Sequence, residues 1–109
     1  MNKTITIKHS DKEYTLEYTR RTIAEMERKG FVLSDVTDKP VSGIPAFVAG
    51  AFLAHHRTIK QSVIDEIYEN LTKKDAFLTK LAEMYNDSVM ALVNDPETDE
   101  GNAEWTATW

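Results

Sequence analysis

The chain has 109 residues, of which 41% are hydrophobic and 28% are charged, a composition typical of one globular domain. It contains no cysteine, which excludes disulfides and thiolate metal sites. The net charge is −5 and lies entirely after residue 94, so the preceding part is formally neutral and lacks the broad positive field that nucleic-acid binding requires.

The first 18 residues carry the pattern of a β-hairpin. Polar and apolar residues alternate from Thr4 to Lys8 and again from Glu13 to Tyr18, as in half-buried strands. The polar residues 9–12 between them predict a turn. Because an isolated hairpin is only marginally stable, we expect it to pack against helices. The N-terminus shows no hydrophobic signal segment, so we expect the protein to stay in the cytoplasm.

A first helix is predicted from about Arg20 to Lys29. Thr22 and Glu25 have capping-box spacing, and Thr19 is a second N-cap candidate one turn earlier. Gly30 suits a left-handed C-terminal cap. The helix therefore has start and stop signals at both ends.

The most apolar stretch, Ile44 to Arg57, predicts a central helix, preceded by a connecting loop over residues 34–43 that can include a short turn of helix. Pro45 suits its first turn. Small residues on its other sides leave little surface suited to water, so we expect other elements to pack around it. It is too short to span a membrane. Its main apolar face, at helical spacing, comprises Ile44, Phe47, Val48, Ala51, Phe52 and His55.

Two more helices are predicted after the central one. Thr58 and Gln61 form a second capping-box pattern, and Thr72 with Asp75 marks the start of the longest helix, which runs to residue 94. The expected fold is α+β: an N-terminal β-hairpin packed on a bundle of about four α-helices. Residues 1–95 would form a single globular domain, and residues 96–109 an acidic, flexible tail that ends in tryptophan.

The sequence offers no catalytic motif. There is no nucleophile elbow, P-loop or dinucleotide fingerprint. A chelating histidine pair on a helix needs i, i+4 spacing, whereas His55 and His56 are adjacent. We interpret His55 as facing the core and His56 as lying near the surface. No catalytic residue, metal ligand or cofactor is therefore predicted, and we do not expect an enzyme.

Both tryptophans, Trp105 and Trp109, lie within the last five residues. Tryptophan is a common interface anchor, and in an extended chain these two side chains share a side, as a strand added to a sheet edge would require. The tail either frays in solvent or docks, on its own domain or on a partner.

Several segments resemble a known family. They are Glu17 to Arg21, Met26 to Phe31, Asp38 to Pro40, Ile44 to Arg57, and Glu100 to Ala103 with the tryptophans. In these segments the chain is similar to the tail assembly chaperones of long-tailed phages and prophages of Gram-positive bacteria. The resemblance implies a non-enzymatic protein, absent from the virion, that coats the helical tape-measure protein and helps tail-tube protein assemble on it. A homo-oligomer is compatible with this role, and no nucleic-acid or membrane partner is expected.

A chaperone for a long helical protein should offer apolar surface to amphipathic helices. The last predicted helix has apolar residues on more than one side, and methionines adapt to varied partners. We therefore predict Met84, Met90, Trp105 and Trp109 as partner-binding residues, the alternative being that the helix residues are simply core.

Two other functions stay open. One is a virion structural protein of the tail or the head–tail connector. The other is a small DNA-binding or antitoxin-like regulator, which the acidic residues in the helix after Thr58 disfavour because they would repel phosphates.

Overall fold

The computed structural model describes residues 3–94 and 103–109. The elements in chain order are β1 (Ile5–His9), β2 (Lys12–Leu16), α1 (Arg20–Arg28), α2 (Asp35–Asp38), α3 (Pro40–Phe52), α4 (Gln61–Glu69) and α5 (Lys74–Met90). This confirms the predicted α+β fold, a two-stranded hairpin followed by about four helices, with α2 as one additional turn. Residues 103–109 contain neither helix nor strand. No helix within the described ranges is long and apolar enough to cross a bilayer.

The hairpin forms as its sequence pattern predicts. β1 and β2 pair antiparallel, with Ile7 opposite Tyr14. Ser10 and Asp11 connect them with φ values of 50° and 64°, the left-handed pair that fits a two-residue turn to the twist of the strands. Ile7 and Leu16 are buried, so one face of the hairpin packs on the helices.

Both ends of α1 are fixed by local hydrogen bonds. Thr19 is the N-cap: its hydroxyl accepts the N–H of Thr22 at 3.1 Å, and the Thr22 hydroxyl accepts the N–H of Thr19 at 2.9 Å. Of the two predicted N-cap candidates, Thr19 is therefore confirmed, and Thr22 is the third residue of the helix instead of the cap. Gly30 has a φ of 95°, and the N–H of Phe31 donates to the carbonyl oxygen of Met26 at 3.0 Å, a Schellman closure that turns Phe31 into the core.

α3 begins earlier than predicted. Its first residue is Pro40, so Pro45 lies inside the helix and not in its first turn as predicted. The short turn of helix that the prediction allowed within residues 34–43 is α2, but residues 40–43 belong to α3. Gly43 lies against α2, where a Cβ would overlap the backbone carbonyl group of Asp35. The close approach of these two short segments therefore requires glycine at this position.

α3 also ends earlier than predicted, at Phe52. The carbonyl oxygen of Ala51, one of those left without a partner at a helix end, accepts the N–H of Glu17 at 3.0 Å. Glu17 directly follows β2, so the hairpin meets the end of the helix. This long-range contact could not be predicted from local spacing.

The core surrounds α3. Phe47 is 1% exposed and stacks on Tyr18, with ring centroids 5.4 Å apart, and on Phe31, with centroids 5.8 Å apart. The buried Tyr18 hydroxyl donates to the carbonyl oxygen of Phe47 at 2.6 Å. Burial raises the pKa of Tyr18 well above its ordinary value. These contacts join the hairpin, α1 and α3 in one core.

The apolar stripe predicted for α4 is confirmed, but the predicted caps are wrong. Lys60 precedes α4 as its N-cap, and Lys73, with a φ of 54°, precedes α5. Neither cap is closed by a side-chain hydrogen bond in the described part of the chain, so Thr58 and Thr72 do not play the roles predicted for them. The following stripe residues are buried or half-buried against the core: Val63, Ile64, Ile67, Tyr68 and Leu71.

Candidate functional site

α5 contacts the core along a stripe of buried residues flanked by the partly buried Phe77, Leu78 and Ala82. Its buried residues are Leu81, Met84 and Tyr85. The Tyr85 ring meets Phe47 edge-on, with centroids 5.8 Å apart. At the next turn the Ser88 hydroxyl donates to the carbonyl oxygen of Tyr18 at 2.9 Å, which ties this part of α5 to the start of α1. The packed part of α5 thus ends close to its last turn.

Past this stripe, large apolar side chains are exposed. They are Val89 (37% exposed), Met90 (46%), Leu92 (63%) and Val93 (74%), and we call them the α5 apolar end. The predicted helix ran to residue 94, whereas α5 ends at Met90, so Leu92 and Val93 lie in the turn that follows the helix. Val89 belongs to α5 but is not among its buried residues.

The backbone under the α5 apolar end is closed by hydrogen bonds. The N–H of Asn94 donates to the carbonyl oxygen of Met90 at 2.9 Å, so the chain continues as a turn after the helix. Nearby, the Lys3 ammonium lies 2.7 Å from the Asp87 carboxylate. That hydrogen bond raises the pKa of Lys3. The exposed apolar side chains therefore lie on a hydrogen-bonded backbone that needs no rearrangement before it contacts a partner.

The predicted partner-binding residues fall into two groups. Met84 is 2% exposed and lies in the core, three residues after Leu81 on the buried stripe, so a surface role for Met84 does not fit the structure. Met90 lies at the surface, as do Trp105, 84% exposed, and Trp109, fully exposed. The two tryptophans lie in a segment without strand structure, separate from the α5 apolar end in sequence.

The histidines serve the hairpin in a way that the sequence did not indicate. Because α3 ends at Phe52, both follow the helix. His55, predicted to face the core, has a side chain 42% exposed and donates through Nε2 to the carboxylate of Glu17 at 2.8 Å. His56, predicted to lie near the surface, is the more buried of the two, and its Nε2 accepts the N–H of Thr15 at 3.0 Å. Within residues 3–94 and 103–109, no three His, Asp or Glu side chains are placed to hold a metal ion.

A second surface feature is a groove of about 480 Å³ between the end of α1, α3 and the start of α4, which we call the α3 groove. Lys29 and Arg57 are its basic lining residues and Asp35 is its acidic one. Arg57 also donates to the Glu25 carboxylate at 2.7 and 3.2 Å, which lowers the pKa of Glu25. The floor of the groove is formed by small residues of α3: Gly43, Ala46, Ala49 and Gly50.

The fold and these surfaces define a small α+β domain with exposed apolar surface at one helix end. The model of a family described as a domain of unknown function, DUF5055, matches residues 1–109, and the chain belongs to this family. No curated protein and no solved structure matches the chain.

Proposed function

We propose that the protein is a non-enzymatic tail assembly chaperone of a long-tailed phage or prophage, acting in the host cytoplasm. It would bind the helical tape-measure protein and aid the assembly of tail-tube protein around it. The observation that carries the proposal is the α5 apolar end, a group of exposed large apolar side chains on a closed backbone turn. The resemblance of the sequence to tail assembly chaperones supplies the identity of the partner.

The α5 apolar end suits a partner that presents many similar helical segments. An amphipathic helix can lay its apolar face against such a surface. Four side chains make a contact much smaller than a standard stable interface of about 1,600 Å², so a single contact is weak. Strong binding then requires several copies of the protein along one long partner. The flexible side chain of Met90 adapts to different partner sequences.

The test is co-expression with a fragment of the tape-measure protein, followed by measurement of the fraction of that fragment that stays soluble. We expect the fragment to remain soluble and to carry several copies of the protein. Met90→Glu should reduce the soluble fraction because it places a charge within the apolar contact. Val41→Glu is the matched control, because Val41 is 91% exposed but lies in the first turn of α3, outside the α5 apolar end. This variant should keep as much of the fragment soluble as the wild type does.

Equal precipitation of the fragment with and without the protein would contradict the proposal. Detection of the protein in purified phage particles would favour a virion structural role instead. Binding to random DNA that weakens steeply as salt is raised would favour the regulator alternative. Loss of solubility in both glutamate variants would show that the α5 apolar end is not the contact surface.

A further inference from the structure

The chain has two complementary surfaces that face solvent. One is the α3 groove and the other is the C-terminal segment that carries both tryptophans. We propose that the tail of one copy, anchored by Trp105 and Trp109, binds in the α3 groove of a second copy. This inference does not rest on the proposed function, since it concerns contacts between copies of this chain.

The α3 groove has the size and the lining that an aromatic side chain needs. Its volume of about 480 Å³ is within the range of about 300–1,000 Å³ typical of ligand pockets. The space beside Gly43 and Gly50 is occupied by α2 and by the Met26 side chain, which border the groove. The exposed Ala46 and the half-buried Leu53 supply the apolar lining that stays open to a ligand.

The tail carries two exposed aromatic side chains that would fill the open groove. An indole ring removes about 150–250 Å² from water when it is buried, which is the largest gain that a short exposed segment can make. Trp105 and Trp109 make no such contact in the structure. Any pairing of the tail with the groove therefore brings two unfilled apolar surfaces together.

Charge favours the same pairing. The five acidic residues after residue 94 give the tail its negative charge. Lys29 and Arg57 line the groove together with the carboxylate of Asp35, and Arg57 is already paired with Glu25. The cations that face an acidic segment are therefore Lys29 and Lys60, which adjoins the lining residues Ile59 and Gln61. Among the described residues Lys29 has no ion-pair partner, so it is available to an acidic segment.

A second copy is the occupant because the described tail residues are exposed on their own chain. The contact joins different surfaces on the two copies, so it is heterologous, and repetition would give a ring or an open chain. A heterologous contact has a distinctive consequence. Two variants that each lose one of the two surfaces should still pair with each other.

The experiment uses four full-length chains: the wild type, a tail variant, a groove variant and a control. The tail variant carries Trp105→Ser and Trp109→Ser. The groove variant, Ala46→Glu, places a carboxylate on the exposed groove floor, where it repels the acidic tail. The control, Ala76→Glu, makes the same substitution at an exposed position in the first turn of α5, outside the groove lining. Circular dichroism confirms that each chain is folded.

Sedimentation equilibrium over a range of concentrations should show association of the wild type and of the control. Each of the other variants should remain monomeric alone, and an equimolar mixture of the two should form a species of twice the monomer mass. A wild type that stays monomeric throughout would overturn the proposal. So would a mixture of the two variants that stays monomeric. A blue-shifted tryptophan emission that is independent of concentration and is lost in the groove variant would place the tail in its own groove, and would also overturn it.

Discussion

α3 and α5 are both rich in apolar residues, but the fold uses them differently. Six of the thirteen residues of α3 are buried, and the hairpin, α1, α2 and α4 all contact it. In α5 three of seventeen residues are buried and Phe77, Leu78 and Ala82 are partly buried against the core, whereas Val89 and Met90 near its end are exposed. Apolar surface on a central helix thus serves the fold, whereas apolar surface at the end of a peripheral helix stays exposed.

The largest expected effect comes from emptying the core beside α3. Phe47 and Phe52 are each 1% exposed. Phe47→Ala and Phe52→Ala should each lower the free energy of unfolding by about 3–5 kcal/mol, because the lost ring leaves a cavity that the neighbours fill only in part. Urea unfolding measures the loss. A cost below about 1 kcal/mol would show that α3 is not the centre of the core.

A smaller effect is expected where α3 meets its neighbours most closely. Gly43→Ala should cost about 1–3 kcal/mol, because the new methyl group meets the backbone carbonyl of Asp35 and α2 must shift. Gly50→Ala is the matched control: its Cβ meets the far end of the Met26 side chain, which can change rotamer. Both substitutions gain the same helix propensity, so the difference between their unfolding free energies isolates the contact with α2. Equal costs would contradict this account.

Tyr18 tests the junction between α3 and α5, because its ring meets both Phe47 and Tyr85. Tyr18→Phe keeps the ring but removes the hydrogen bond to the Phe47 carbonyl oxygen. We expect a loss of about 1 kcal/mol in unfolding free energy at neutral pH, the usual net value of one such bond. Leu16→Ala, at a fully buried position of β2, should cost more, at about 2–5 kcal/mol.

The raised pKa of Tyr18 predicts that the folded protein loses stability in alkali. Burial raises the pKa of Tyr18 in the folded state well above its ordinary value of 10.0. Above pH 10.0 the unfolded chain releases the phenolic proton while the folded chain retains it, so the free energy of unfolding falls as pH rises. Below pH 10.0 the stabilising contribution of the buried Tyr18 is fully present. Unfolding at pH 8 and pH 10.5 should show a smaller alkaline loss in Tyr18→Phe than in the wild type. Some loss should persist, because burial and then the Glu27 carboxylate raise the pKa of Tyr85.

The sequence predicted the parts of the fold that depend on neighbouring residues. The turn at Ser10 and Asp11 and the reversal at Gly30 are set by local backbone preferences, and both formed where expected. The C-terminal end of α3 was missed because it lies at a contact with a distant part of the chain. The carbonyl oxygen of Ala51 accepts the N–H of Glu17, and rules that relate residues a few positions apart cannot predict a contact between such distant positions.

The same limit applies to the surfaces. Helical spacing identified Met90 as a candidate contact, but it could not separate Met90 from Met84, because which side of α5 is buried depends on the packing of Tyr85 against Phe47. The α3 groove could not be predicted from the sequence either. Small residues on α3 led us to expect other elements packed around the helix, and they did not indicate that the side at Ala46 stays open.

The smallest expected effect is also the sharpest test of the contrast between the two helices. Met84 and Met90 lie on the same helix, 2% and 46% exposed. Met84→Ala should cost about 2–5 kcal/mol, since it opens a cavity in the core. Met90→Ala should change the unfolding free energy by no more than about 0.5 kcal/mol, as surface substitutions usually do. Urea unfolding of the two variants compares identical chemical changes. In co-expression with the tape-measure fragment the same Met90→Ala chain should keep less of the fragment soluble, because a flexible apolar contact is lost without harm to the fold. If Met90→Ala destabilises the free protein by more than about 1 kcal/mol, the end of α5 belongs to the core, and its apolar side chains are not available to a partner.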